Sequence, residues 1–243
     1  MRIAVIADIH SNIISLDRVL SDIDGKKTDL IVCLGDLVGY AAHPDEVIDT
    51  IREKKILTVK GNYDEAVGEE LMVCGCDYTN PKDMENAAIS LNWTIENTRE
   101  DNKEFLRSLP KEIKMAFEGR TILFVHGSPR KINEYLKESS REAEEVMADC
   151  EADILICGHT HKPYYKMYGS KMLINAGSAG KPKTGSSKAN YAVIDLYGGG
   201  AKVEIHEVDY DCESTARAIE ENGLPQEFAE IIRTGKAWED INE

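Results

Sequence analysis

The sequence predicts an α/β domain in which two sheets pack together with helices outside. Three observations carry that expectation. Short apolar runs alternate with helical patterns over the first two-thirds of the chain, strands crowd together after about residue 163, and no repeat or Pro/Ser-rich linker intervenes. A length of 243 residues, 42% of them apolar and 30% charged, is globular composition with enough chain for a sizeable core.

The first strands are read at Ile3 to Ala7, Leu30 to Leu34, Ile56 to Val59, Thr121 to Val125 and Ile154 to Cys157. Each is short, rich in β-branched residues and apolar on successive positions, as expected of strands covered on both faces. Between them, Ile13, Leu16, Val19, Leu20 and Ile23 recur at helical spacing, as do Val47, Ile48 and Ile51 after a candidate cap at His43. Asn80-Pro81 opens a helix whose stripe is read as Met84, Ala87, Ala88, Leu91 and Ile95, and Ala143, Val146, Met147 and Cys150 form another. Tyr164 to Tyr168 and Lys171 to Ile174 are joined by Gly169-Ser170, a hairpin signal, and Tyr191 to Leu196 and Lys202 to Val208 by a glycine triplet. Two short helices follow, ending near Gly223 and Gly235.

Forty-four acids against 29 Lys and Arg give a net charge of −15. That sets duplex nucleic acid and anionic membranes aside as partners, but not a small phosphorylated substrate drawn to a local positive centre. No apolar run approaches the roughly 20 residues that span a bilayer. No export signal is read after Met1, so a cytoplasmic location is expected. Cys33, Cys150 and Cys157 occupy apolar positions rather than a disulfide framework, while Cys74-Gly75-Cys76 is a candidate soft-metal or redox pair.

Polar metal-ligand chemistry follows each of the five early strands. It comprises Asp8-Ile9-His10, Gly35-Asp36, Gly61-Asn62-Tyr63-Asp64, His126-Gly127 and Gly158-His159-Thr160-His161. Ligands of α/β sheets bind outside the carboxyl ends of strands, so these groups are expected to converge. The i, i+2 spacing of Asp8 with His10, and of His159 with His161, would put each pair on one side of an extended segment. Imidazole, carboxylate and amide without thiolate favour manganese, iron or zinc over a closed structural zinc site. Seven candidate ligands, Asp8, His10, Asp36, Asn62, His126, His159 and His161, suit two ions sharing a carboxylate. Two divalent ions, two carboxylates and a bridging hydroxide leave one formal positive charge, a match for a singly charged diester.

Taken together and in this order, the five blocks resemble those of the calcineurin-like metallophosphoesterases, over roughly residues 1 to 195. Val38-Gly39-Tyr40, His126-Gly127-Ser128-Pro129-Arg130 and Asn175-Ala176-Gly177-Ser178 before Lys181-Pro182 look like its small prokaryotic phosphodiesterase branch. The resemblance implies a four-layer sandwich of two mixed β-sheets flanked by α-helices. The domain is expected to span 1–208, with a C-terminal helical extension at 209–243 whose Phe228, Ile231 and Ile232 are expected to pack on it. One metal would be held by Asp8, His10, Asp36 and His161, the other by Asp36, Asn62, His126 and His159. Many relatives carry His where this chain has Tyr63, a poorer proton donor at neutral pH, which argues against unactivated monoesters. Tyr63 remains a candidate catalytic residue and Arg130 a candidate phosphate clamp.

The expected function is a dinuclear metal-dependent phosphoesterase that hydrolyses phosphodiesters by attack of a metal-bridging hydroxide. Manganese is the expected ion, with iron, zinc, nickel or magnesium also suited to the ligands. The expected partner is a small phosphorylated substrate such as a nucleotide, and a homo-oligomer is compatible with the sequence. Alternatives are a dinucleoside polyphosphate hydrolase, a phosphoprotein phosphatase or, in a different class, a non-catalytic scaffold of the same fold.

Overall fold

A computed structural model describes residues 1–77, 80–198 and 200–237. Its strands are β1 (Arg2–Ile6), β2 (Leu30–Cys33), β3 (Leu57–Thr58), β4 (Glu112–Phe117), β5 (Arg120–Val125), β6 (Ile154–Cys157), β7 (Tyr164–Tyr168), β8 (Lys171–Asn175), β9 (Ala189–Tyr197) and β10 (Gly200–Val208). The helices are α1 (Ile13–Asp24), α2 (Pro44–Glu53), α3 (Asn62–Gly68), α4 (Pro81–Glu96), α5 (Glu100–Ser108), α6 (Arg141–Asp149), α7 (Cys212–Glu221) and α8 (Gln226–Thr234). One five-stranded sheet has the order β10-β9-β1-β2-β3 and the other β4-β5-β6-β8-β7. In each, three strands pair in parallel (β1, β2, β3 and β5, β6, β8) and the other two join through antiparallel pairings (β1–β9 and β9–β10; β4–β5 and β7–β8). Both sheets are therefore mixed, as expected.

Alternation along the buried strands builds three apolar layers. Ile3, Val5 and Ala7 of the first strand and its exit meet Ile122, Phe124, Ile154 and Ile156 between the sheets. Ala4 and Ile6 face α1, α2 and the C-terminal helices, where Leu16, Val19, Ile48, Ile219 and Phe228 pack. Leu123, Val125 and Leu155 lie under Ala143, Val146 and Met147 of α6. Each such fully buried aliphatic side chain contributes ~1.5–3 kcal/mol relative to exposure. The two C-terminal helices join the same core as α1, and Thr215 donates to the Asn12 cap of α1 at 2.9 Å.

Several expectations change. β4, α3 and α5 were not anticipated. The stripe of α4 is rotated: Asn86, Ala87, Ser90, Leu91 and Thr94 are buried, whereas Met84 and Ala88 are exposed. A polar residue is the reason, because the Ser90 hydroxyl accepts the Tyr40 backbone N–H at 2.8 Å. His43 precedes α2 but its ring faces Glu46 rather than capping the helix. Gly169 takes a left-handed conformation (φ 62°) in the β7–β8 hairpin, as anticipated, while Gly199 of the glycine triplet lies outside the described residues.

Candidate metal centre

The loops at the ends of β1, β2, β3, β5 and β6 converge, and their backbone is unusual. Asp8, His10, Asp36, His159 and His161 all have positive φ, between 51° and 65°. Asp and His are among the non-glycine residues that tolerate this region, yet each such residue costs ~1–3 kcal/mol. The surroundings hold them there. Asp64 accepts the backbone N–H of Asp36 (2.9 Å), Leu37 (2.8 Å) and Gly61 (2.9 Å), tying the β2 and β3 loops together. The loop after β8 is zipped to the loop after β1 by Ala179 N–H to the Ala7 carbonyl (2.8 Å) and by Ser178 Oγ to the Asp8 carbonyl (2.7 Å). The expected extended i, i+2 geometry is thus corrected: the ligand-type residues are brought in by left-handed turns, and His159 and His161 face different clusters.

Two buried clusters result, one of Asp8, His10 and His161 and one of Asp36, His126 and His159, the potential ligand atoms within each lying inside 4.8 Å of one another. His10 Nε2 is 3.1 Å from His161 Nε2, and His126 Nε2 is 3.1 Å from His159 Nδ1 and 2.9 Å from Asn62 Oδ1. Asp36 Oδ2 stands between the clusters, 3.8 Å from His10 Nε2 and 3.4 Å from His126 Nε2. All seven sequence-predicted candidates therefore meet in one place.

The donor set fits cations. The Nδ1 atoms of His10, His126 and His161 face the carbonyls of Val38 (3.1 Å), Leu34 (2.8 Å) and Lys181 (2.6 Å). A carbonyl only accepts, so these contacts place the proton on Nδ1 and aim Nε2 inward. Burial pushes His10 and His159 down to about 3 and also lowers His161, leaving neutral imidazoles, the form that binds metal. Burial also disfavours charge on His126, but the adjacent Asp36 carboxylate outweighs it and raises this group to about 10. Asp8 Oδ1 is buried without a hydrogen-bond partner, beside the facing lone pairs of His10 and His161. Converging, unsatisfied acceptors of this kind are an arrangement that a divalent ion in the first cluster would satisfy, and in the second an ion would take the place of the proton that Asp36 holds on His126.

Other candidates are placed differently. Tyr63 is 0% exposed, its ring packed 4.7 Å from that of Tyr40 and its phenol beside the Cys74 thiol. Its backbone N–H donates to Asp36 Oδ1 at 2.8 Å, and its ring meets that of the candidate ligand His10 edge-on at 5.5 Å. Arg130 is held by Glu134 (2.5 Å) and Glu145 (3.5 Å), so its fork is occupied by carboxylates. Sequence reasoning gave no role to Lys181 and Lys183. Lys181 is 4% exposed, with its ammonium 3.8 Å above the Tyr40 ring and no carboxylate within 4.0 Å among the described residues. Burial lowers it to about 7. The Lys183 charge acts on Asp8, His159 and His161. Both lysines follow the Asn175-to-Ser178 block, a cationic spacing that could have been noticed.

A two-sheet sandwich with paired His/Asp clusters at its strand ends defines a metallophosphoesterase type of architecture. The sequence model of the calcineurin-like phosphoesterase superfamily domain matches residues 1–199, and the chain belongs to that superfamily. Family membership implies divalent metal ions. An uncharacterized protein of Methanocaldococcus jannaschii is 36% identical, covering 96% of this chain and 98% of its own. A metallophosphoesterase of Sphaerobacter thermophilus has a similar structure, with a TM-score of 0.78 at 30% identity over 97% of this chain and 99% of that one. A hypothetical protein of Pyrococcus horikoshii superposes with a TM-score of 0.84 at 25% identity over the same shares of the two chains.

Proposed function

We propose that this protein is a dinuclear metal-dependent phosphodiesterase. The observation that carries the reading is Asp36, a member of one buried triad whose carboxylate also lies 3.8 Å from His10 Nε2 of the other. Asp8, His10, Asp36 and His161 would hold one ion, and Asp36, Asn62, His126 and His159 the other. Divalent ions there would supply Lewis acidity toward a phosphoryl group and toward the attacking water. The chain's own contribution is positional: backbone carbonyls orient three histidines, and Asp64 fixes the loop that carries Asp36. No donor is offered at Tyr63, because its phenol is buried against Cys74, which supports substrates with good leaving groups over unactivated monoesters.

One observation favours a second reading, a dinucleoside polyphosphate hydrolase. The Lys183 charge acts on Asp8, His159 and His161 and adds positive charge beside the clusters, more than a singly charged diester requires. A rate comparison with added manganese on bis(p-nitrophenyl) phosphate, p-nitrophenyl phosphate and a dinucleoside tetraphosphate separates the readings. Fastest turnover of the diester, lost in Asp36→Asn, is expected. No hydrolysis of any of them with any divalent metal would overturn the assignment.

A further inference from the structure

The Cys74-Gly75-Cys76 turn carries chemistry that phosphoester hydrolysis does not use. We propose that Cys74 and Cys76 form a thiol–disulfide exchange site that closes reversibly with a low-molecular-weight disulfide and, in closing, withdraws the support of Asn62. Geometry brings the thiols together. Cys74 Sγ lies 3.1 Å from Cys76 Sγ, so contraction by roughly 1 Å reaches the bonded distance. Gly75 makes this possible: its φ of 74° bends the chain, and a Cβ there would strike the Asn133 amide that donates to the Gly75 carbonyl.

The pair is also reachable. Both cysteines line an open groove of about 270 Å³ with Met72, Val73 and Met84. Met72 is 89% and Val73 72% exposed, which leaves an apolar approach for a small disulfide. Cys76 is half-buried and Cys74, though itself buried at 9% exposure, lines that groove, whereas Cys33 and Cys157 are 0% exposed.

Coupling runs through one amide. Asn62 Nδ2 donates to the Cys74 carbonyl at 2.9 Å and to Cys76 Sγ at 3.3 Å, and these bonds aim Asn62 Oδ1 at His126 Nε2. Drawing Cys76 sulfur onto Cys74 removes the second of them and twists the carbonyl that makes the first. The exchange balances. One thiolate attacks the external disulfide and expels a thiolate. The second protein sulfur then attacks the mixed disulfide and expels the other. Two protein thiols and one external disulfide thus give one protein disulfide and two external thiols. A disulfide between residues two apart closes a small ring, and strained, accessible disulfides are the readily reduced ones.

The thiol claim is independent of the phosphoesterase reading, whereas the coupling rests on it. The full chain is equilibrated in oxidised and reduced glutathione at graded ratios, alkylated, digested and weighed. Expected is a peptide holding Cys74 and Cys76 that escapes alkylation as the ratio rises and regains it with excess thiol, an effect absent in Cys74→Ser. Manganese affinity, read calorimetrically on the same samples, should fall about 10–100-fold on oxidation in the wild type and stay constant in Cys74→Ser. Full alkylation at every ratio, or closure that leaves manganese affinity unchanged, would overturn the proposal. Failure of the reduced protein to bind manganese would instead count against the metal centre, and the alkylation result would still decide the thiols.

Discussion

Tyr63 and Asp64 are neighbours in one motif and do unlike things. Because the Tyr63 ring is wholly buried with its phenol against Cys74, Tyr63→Phe should change kcat/KM on bis(p-nitrophenyl) phosphate by no more than a few-fold. A loss of two orders of magnitude would restore a catalytic role. Asp64→Asn should do more harm although it approaches no candidate metal. An amide cannot accept all three backbone N–H groups, and each buried donor left unsatisfied costs ~1–3 kcal/mol, measurable by urea denaturation. The convergence of the seven candidate positions was legible because His, Asp and Asn stood directly after apolar runs. The backbone that delivers them was not. Nothing in Asp8-x-His10 announces two positive φ values, since these are imposed by contacts from residues far along the chain, such as Gly35 and Ser178.

At the scale of elements, the strand-end loops fit one another so closely that small changes are felt. Gly180→Ala would place a methyl group on the Ile9 carbonyl, where the loops after β1 and β8 are zipped, and overpacking of this kind costs ~1–3 kcal/mol. A melting temperature equal to wild type would show that the loops yield instead. The α7–α8 pair offers a pH test. Arg233 bonds Glu213 (2.9 Å) and Glu220 (2.6 Å), and these bonds hold both carboxyls below their ordinary range. The folded state therefore binds protons less readily than the unfolded one near about pH 4, so the contribution is present above that range and is lost as pH falls through it. Arg233→Met should flatten this part of the stability–pH curve. Elements with continuous apolar runs were readable in the sequence. β4 was not, because Glu112 to Phe117 alternates as a half-buried edge strand with Ile113, Met115 and Phe117 turned inward. Polar α5 hid for the same reason, burying Asn102 and Lys103 beside Leu106.

Over the whole molecule, a net charge of −15 coexists with a centre built for cations. Lys183 sharpens that contrast, its charge acting on Asp8, His159 and His161. Ions that bind only the folded state stabilise it, and at a hundredfold excess over Kd the gain is ~2.7 kcal/mol per site, or ~5–10 °C in a chain of this size. Chelation should remove it. The most direct test is calorimetric titration of manganese into the metal-stripped, reduced protein. A carboxylate shared by two triads predicts two equivalents bound by the wild type and at most one by Asp36→Asn. A wild type that binds one or none, or a variant that still binds two with unchanged affinity, would contradict it.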